Sequence, residues 1–363
     1  MIGAGHGHLH LARHAMQLVD AGLTPTLVDP GRFWYSGMAT GVLGGVYEPE
    51  QHSVDPRPLI EAHGGHFVQD QVVRIDRQGQ RVHLTSGHTL HYDFLSFNVG
   101  SEVDLDLSLE GLDNAWAVKP IANLWRLRHR LEDHFDYRPD QPLRLVIIGG
   151  GATGCEVACN IDRLARRHGG RVELTLVTRD GLMQGYPRGA TRRMMQLLRA
   201  RSIQVVNGSS VNAIEQGQVI TDDGHRLPWD VLIAACGLRP PRWLGEQGLA
   251  VAGDGALLVD KHLRSVDDPK IFGVGDCVQL QDHPLPRVGV FGVRQAPVLL
   301  HNLCAAANGR ALKRYHPQKR YLSILNTGDG KALAARGGAW WYGRSSLWLK
   351  DWIDRRFVQQ YRV

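Results

Sequence analysis

The chain is 363 residues long, which allows two or three domains with substantial cores. Its 42 Lys and Arg against 36 Asp and Glu leave a net charge of +6, an excess that suits anionic cofactors or an anionic membrane surface, while the spread of the basic residues and the lack of a recognition motif argue against nucleic acid. No stretch approaches the roughly 18 apolar residues of a membrane span, and a glycine turn stands where a secretory leader would be read, so residence in the cytoplasm is expected.

Gly3-Ala4-Gly5 follows directly on Met1-Ile2. A first strand normally carries more apolar residues, so this one reads as truncated, and His8 stands at the third glycine of a G-x-G-x-x-G turn. Leu9 to Val19 has helical apolar spacing. Leu23 to Val28 reads as a strand ending in Asp29, where an acid hydrogen-bonds a ribose hydroxyl; the competing reading is an Asp that opens the Asp29-Pro30-Gly31 turn. Phe67 to Thr85 alternates like strands, and Phe94 to Gly100 is a strand running into a turn. A polar helix over 121–135 and the proline-containing stretch 136–142 form a hinge.

Leu143 to Ile148 is an apolar strand, Gly149-Gly150-Gly151-Ala152-Thr153-Gly154 a turn, and Cys155 to Ala165 a helix. In this register the glycines permit a tight turn and close approach of a diphosphate, and the helix N-terminus offers free N–H groups to its charge. The strand Val172 to Val177 then ends in Thr178-Arg179 rather than an acid, which favours NADPH over NADH because Arg179 can pair with a 2′-phosphate; a surface arginine is the plain alternative. Val231 to Gly237 is another strand entering a glycine turn, and Ile271 onward closes with Gly273-Val274-Gly275-Asp276.

The expected fold is α/β, with two Rossmann-like dinucleotide-binding domains. The second domain (119–255, with a leading linker helix) is inserted between two parts of the first (1–118 and 256–314), and a small α+β C-terminal segment (315–363) follows. Two bound dinucleotides imply hydride transfer between them. Five cysteines, 155, 159, 236, 277 and 304, are an odd number without a CxxC pair, so no disulfide is expected. His10 and His14 have metal-ligand spacing but no third ligand, and no metal is expected.

These motifs, together with Trp34-Tyr35-Ser36-Gly37-Met38, Ala117-Val118-Lys119-Pro120, Gly292-Val293-Arg294-Gln295, Asn326-Thr327-Gly328-Asp329-Gly330 and Leu349 to Phe357, resemble the pyridine nucleotide-disulfide oxidoreductase superfamily. The resemblance is to its two-dinucleotide-domain flavoproteins, which include type II NADH dehydrogenases and sulfide:quinone oxidoreductases, and more narrowly to the flavoprotein domain fused ahead of selenide, water dikinase. It implies FAD held by Gly3, Gly5, His6 and Asp29, with Gly275 and Asp276 at the ribityl chain, and Tyr35, Ser36 and Met38 in a turn facing the isoalloxazine. Lys119 is implied to supply positive charge near the ring, or else is a solvated lysine. NAD(P)H is implied at Gly149, Gly151, Gly154, Arg179 and Gly237, with Glu156 near the nicotinamide. The implied activity is NAD(P)H:acceptor oxidoreduction.

Of two glutamines that flank quinone in type II NADH dehydrogenases, only Gln295 is retained, which puts quinone in doubt. A selenium- or sulfur-linked reductase and a non-enzymatic FAD sensor are the alternatives. Trp348, Leu349, Trp352, Ile353 and Phe357 have helical spacing among basic residues, and such a helix suits either a membrane interface or docking on the protein or a dimer partner.

Overall fold

A computed structural model describes residues 1–363. Its first parallel sheet places His66–Gln69, Thr26–Asp29, Ile2, Leu95–Phe97 and Ile271–Gly273 side by side. Ile2 alone bridges both Val28 and Phe97. Ahead of it lies an apolar cavity of about 340 Å³, lined by Leu18, Leu23, Leu90 and Phe94 among others.

The second sheet is also parallel, in the order Ala115–Ala117, Val231–Ala234, Leu143–Ile148, Val172–Thr178, Gln204–Asn207. Strands covered on both faces read as near-continuous apolar runs, and Leu143–Ile148 is buried at every position but Arg144. The helix Ala152–Arg167 covers it with Cys155, Val157, Ala158, Ile161 and Leu164. The second sheet falls in sequence between the Leu95–Phe97 and Ile271–Gly273 strands of the first, so one Rossmann-like unit interrupts the other.

A three-stranded antiparallel sheet, Leu322–Asn326, Ala332–Arg336 and Ala339–Gly343, leads into the last helix, Arg344–Gln359. Leu325 and Leu333 join the core of the second sheet, and so do Ala39 and Leu43, so one apolar body ties the units together. The expected helix over Leu9 to Val19 is two helices, His6–Arg13 and Ala15–Asp20, and the expected strand from Leu23 begins only at Thr26, after Pro25, which has no N–H to donate.

Candidate functional site

A cleft of about 510 Å³ is lined by residues of both sheets and of the tail. At one end stand Gly3, Gly5, His6 and Asp29. Gly3 has φ +83°, and a Cβ on it would lie 2.7 Å from the Asn98 carbonyl oxygen, so this turn needs glycine. The helix His6–Arg13 starts here, and the N–H groups of Gly7 and His8 in its first turn are taken up by Asn98 Oδ1, at 2.7 and 3.2 Å. Asp29 stands at the end of its strand, accepting the N–H of Ala4 at 2.6 Å through Oδ2 and that of Gly31 at 2.9 Å through Oδ1. Burial raises its pKa against the pull of these donors. Asp29 thus closes its own turn and also lines the cleft.

His8, in place of the third glycine, is buried between the Gly3 carbonyl and the Ser96 hydroxyl, each 2.6 Å from a ring nitrogen. In the second unit the equivalent position admits no side chain, because a Cβ on Gly154 would lie 1.9 Å from the Gly149 carbonyl oxygen.

In the middle of the cleft the Lys119 ammonium meets Asp276 Oδ2 at 3.0 Å and the Ser101 hydroxyl at 2.5 Å, and Ser101 donates to the same carboxylate at 2.8 Å. Burial alone would push Asp276 up, but Lys119 and Ser101 together hold it below the usual carboxylate value. Lys119 is thus an ion-paired residue of the cleft rather than a solvated one. His6 is pushed down to about 4 by burial, against the opposing pull of Asp276, and is neutral at pH 7. Gly275, at φ +80°, is fixed from below by Gln295, whose side-chain oxygen accepts its N–H at 2.7 Å.

At the far end Thr153 and Glu156, on the first turns of Ala152–Arg167, face Tyr186, Tyr321 and Lys350 across the cleft. Glu156 is raised by burial, offset by Lys350 and by hydrogen bonds from the Asn326 N–H at 2.6 Å and the Thr40 hydroxyl at 3.2 Å. The buried Lys350 ammonium donates to the Gly37 carbonyl at 2.5 Å and pairs with Asp354 at 2.9 Å.

The structure corrects two expectations, those for Met38 and Gln295. Met38 is fully buried in the core and does not line the cleft, whereas Ser36 of the same helix does. Gln295 is 1 % exposed and holds the Gly275 turn instead of facing the cleft. Gly149, Gly151, Gly154 and Gly237, expected at a nucleotide in the second unit, belong to that unit's own turns and not to the lining of this cleft. Gly149 and Gly154 serve the close packing of turn and helix, a Cβ on Gly151 would meet open space, and one on Gly237 would approach Asp104 at 3.2 Å. Arg179 is also away from the cleft, paired with Asp180 at 2.9 Å. No group of three or more His, Cys, Asp or Glu side chains is placed to hold a metal. The tail helix does not present one apolar face: Lys350, Asp354 and Val358 are buried against the protein, while Trp348 and Trp352 are 70 % and 50 % exposed.

Sequence reasoning passed over Asn98, the residue that joins the two glycine turns of the first unit. Its Oδ1 accepts the Gly7 N–H at 2.7 Å, and its Nδ2 donates to the Val274 carbonyl at 2.9 Å. Its position in a strand running into a turn was the available signal. Tyr35, expected beside Ser36 and Met38 at the turn facing the isoalloxazine, instead donates its hydroxyl to Asp354 at 3.0 Å and stacks its ring 4.5 Å from Phe357, far away in sequence.

Residues 1–301 match the family model of the pyridine nucleotide-disulphide oxidoreductases. The chain belongs to this family. Among similar oxidoreductases, the alternative NAD(P)H-ubiquinone oxidoreductase C1 of Arabidopsis thaliana is 25 % identical over 358 residues, covering 86 % of this chain and 68 % of its own. The type II NADH:quinone oxidoreductase of Staphylococcus aureus is 22 % identical over 387 residues, covering 99 % and 94 %. The solved structure of NDH2 from Plasmodium falciparum in complex with NADH superimposes with a TM-score of 0.83 at 14 % identity, covering 99 % of this chain and 95 % of the other.

Proposed function

We propose that this oxidoreductase is an FAD-dependent NAD(P)H:acceptor enzyme whose acceptor is a small molecule, quinone being the first candidate. FAD, when bound, supplies the ring that takes hydride from a dihydronicotinamide and passes electrons onward. The observation that carries the reading is one continuous cleft with a glycine turn at a helix N-terminus, an acid at the strand end and a second acid behind Gly275. These residues fit FAD: the Gly3 and Gly5 turn for its diphosphate, Asp29 for a ribose, and Asp276 for ribityl hydroxyls.

Lys119, shared between Asp276 and Ser101, places a cation in the middle of the cleft. Thr153, Glu156 and Tyr186 are among the residues of the second unit that line the same space, where Glu156 orients a carboxamide or holds a proton beside Lys350. Holding donor and acceptor side by side supplies most of such catalysis, so no nucleophile is required. No cysteine lines the cleft, which separates this reading from a thiol or disulfide relay.

Quinone is supported by the names of the Arabidopsis and Staphylococcus relatives. The tail supports it as well, because exposed Trp340, Trp341, Trp348 and Trp352 lie among exposed Arg336, Arg344 and Arg356, a composition suited to the interface of an anionic membrane. No helix is long and apolar enough to cross a membrane.

The test is anaerobic mixing of the FAD-loaded protein with NADH or NADPH, followed by a screen of acceptors that includes quinones and oxidised selenium and sulfur species. Bleaching of the oxidised flavin band by either donor supports the reading, and no bleaching by both removes it. A selenium or sulfur species re-oxidising the protein faster than every quinone replaces quinone as acceptor.

A further inference from the structure

The helix Ala152–Arg167 holds Thr153 and Glu156 in the cleft at one end, and its other end borders a second cavity, of about 390 Å³, that no apolar side chain lines. Four arginines and two aspartates stand in its wall, which leaves two positive charges over. Arg163 and Arg167 lie one turn apart on the helix. Arginine near a helix C-terminus is ordinary in itself, because the dipole favours a cation there. Here the guanidiniums are aimed by main chain from elsewhere: Arg163 Nε donates to the Gly44 carbonyl at 3.1 Å and its Nη1 to the Gly328 carbonyl at 3.2 Å, while Arg167 Nη1 donates to the Gly45 carbonyl at 2.7 Å. Both loops need glycine to receive them. A Cβ on Gly45, at φ +65°, would lie 2.7 Å from Arg167 Nη1, and one on Gly328, at φ +72°, would lie 3.2 Å from Arg163 Cβ. Nη2 of Arg163, and Nε and Nη2 of Arg167, are left with no partner in the chain.

Arg201, just past the helix Arg188–Ala200, is a buried cation of the same wall. Its side chain is 8 % exposed, yet among its five N–H donors only Nη1 makes a hydrogen bond, to the Cys159 carbonyl at 3.4 Å. The nearest carboxylate oxygens, of Asp162 at 3.6 Å and Asp329 at 3.4 Å, lie beyond the roughly 2.7–2.9 Å of a charge-assisted hydrogen bond. A buried guanidinium held this loosely is short of acceptors, and oxygens placed in the cavity would supply them.

We propose that this cavity binds phosphate, free or as the monoester of a small solute, between Arg201 and the unpaired edges of Arg163 and Arg167. Guanidinium forks converging from two helices match an oxyanion with several acceptor oxygens, and a dianion cancels the two charges left over in the wall. Asp162 and Asp329 do not close the site to an anion, because Asp162 is paired with Arg166 at 3.0 Å and Asp329 accepts the hydroxyls of Thr327 at 2.7 Å and Tyr342 at 2.6 Å. The site lies about 18 Å along the helix from Gly151, so it is separate from the glycine turn of the second unit. Its wall joins loops of the first unit and of the tail to the helix that carries Glu156, and an occupied cavity ties the three together.

The experiment is calorimetric titration of the FAD-loaded full chain with inorganic phosphate, glycerol 3-phosphate and succinate at constant ionic strength. Phosphate also stabilises proteins without any site, through exclusion from their surface, so a rise in Tm alone decides nothing. Saturable binding with a Kd of about 1 mM or below is expected, weakened about tenfold or more in Arg163→Gln/Arg167→Gln. Asp329→Asn, which takes a negative charge out of the wall, tightens binding by about threefold or more.

No saturable binding up to about 10 mM overturns the proposal, as does a double variant within about twofold of the wild type or succinate bound as tightly as phosphate. Tighter binding of glycerol 3-phosphate assigns the site to a monoester, and tighter binding of inorganic phosphate assigns it to the free ion. If the double variant does not fold, Arg167→Gln, which gives up only the Gly45 contact, and Asp329→Asn are expected to shift the affinity in opposite directions, and wild-type affinity in both overturns the proposal.

Discussion

Asp29 carries the most specific cofactor assignment, because it serves its own turn and still lines the cleft. Losing hydrogen bonds to a charged group costs about 1.5–3 kcal/mol, so Asp29→Ala is expected to weaken FAD binding by about 10- to 100-fold, with Asp29→Asn in between. Fluorescence titration of the apoprotein reads this directly, and affinities within about twofold in both variants would remove Asp29 from the cofactor site. Gln295→Ala leaves the Gly275 N–H without its partner and is expected to cost about 1–3 kcal/mol of stability in urea unfolding, with the acceptor KM little changed. A large KM effect at unaltered stability would restore Gln295 to the acceptor site.

Asp29, Asp276 and the glycines around them were legible because turns write themselves in residue types. Ser36 and Met38 were not both legible. They lie on the helix Ser36–Leu43, where positions two apart project about 200° apart, so only one of them can face the cleft.

At the scale of elements, the strand–turn–helix of the second unit followed from local pattern, with ends displaced by a few residues. Its tightest contact is Gly154 against the Gly149 carbonyl. Gly154→Ala must separate helix from strand, and a loss of more than about 3 kcal/mol is expected, seen as poor recovery of folded protein or a much lower Tm. A variant as stable as the wild type would show that this packing has room to relax.

The tail helix was half legible. Periodicity found the helix, yet Lys350, Asp354 and Val358 turn inward and Trp348 and Trp352 outward because of partners such as Tyr35 that lie too far away in sequence for any local window. Trp348→Ala/Trp352→Ala is expected to abolish co-sedimentation with anionic lipid vesicles while leaving flavin bleaching by the nucleotide donor intact. Undiminished sedimentation would place any membrane contact elsewhere.

For the whole molecule, the insertion of one parallel sheet into the other was readable from the order of the glycine turns. The apolar body shared by Ala39, Leu43, Leu325 and Leu333 was not, since it joins segments separated by most of the chain. Burial pushes His6 down to about 4, His8 to about 3 and His52 to about 4, from an ordinary value of 6.5. Between pH 6.5 and 4 the unfolded chain binds protons at these sites that the folded chain refuses, so stability falls as pH falls through that window, by about 1.4 kcal/mol for every tenfold by which folding weakens proton binding at a site. Tm measured from pH 7 to 4.5 is expected to drop steeply, and a flat profile would contradict the buried neutral histidines.

Direct contact in one cleft between a dihydronicotinamide and a bound flavin is tested by anaerobic stopped-flow bleaching with NADH deuterated at C4 on one face or the other. A primary isotope effect from one face only is the expected result. Equal rates for both deuterated forms and unlabelled NADH, or no bleaching of a flavin that is bound, would contradict it.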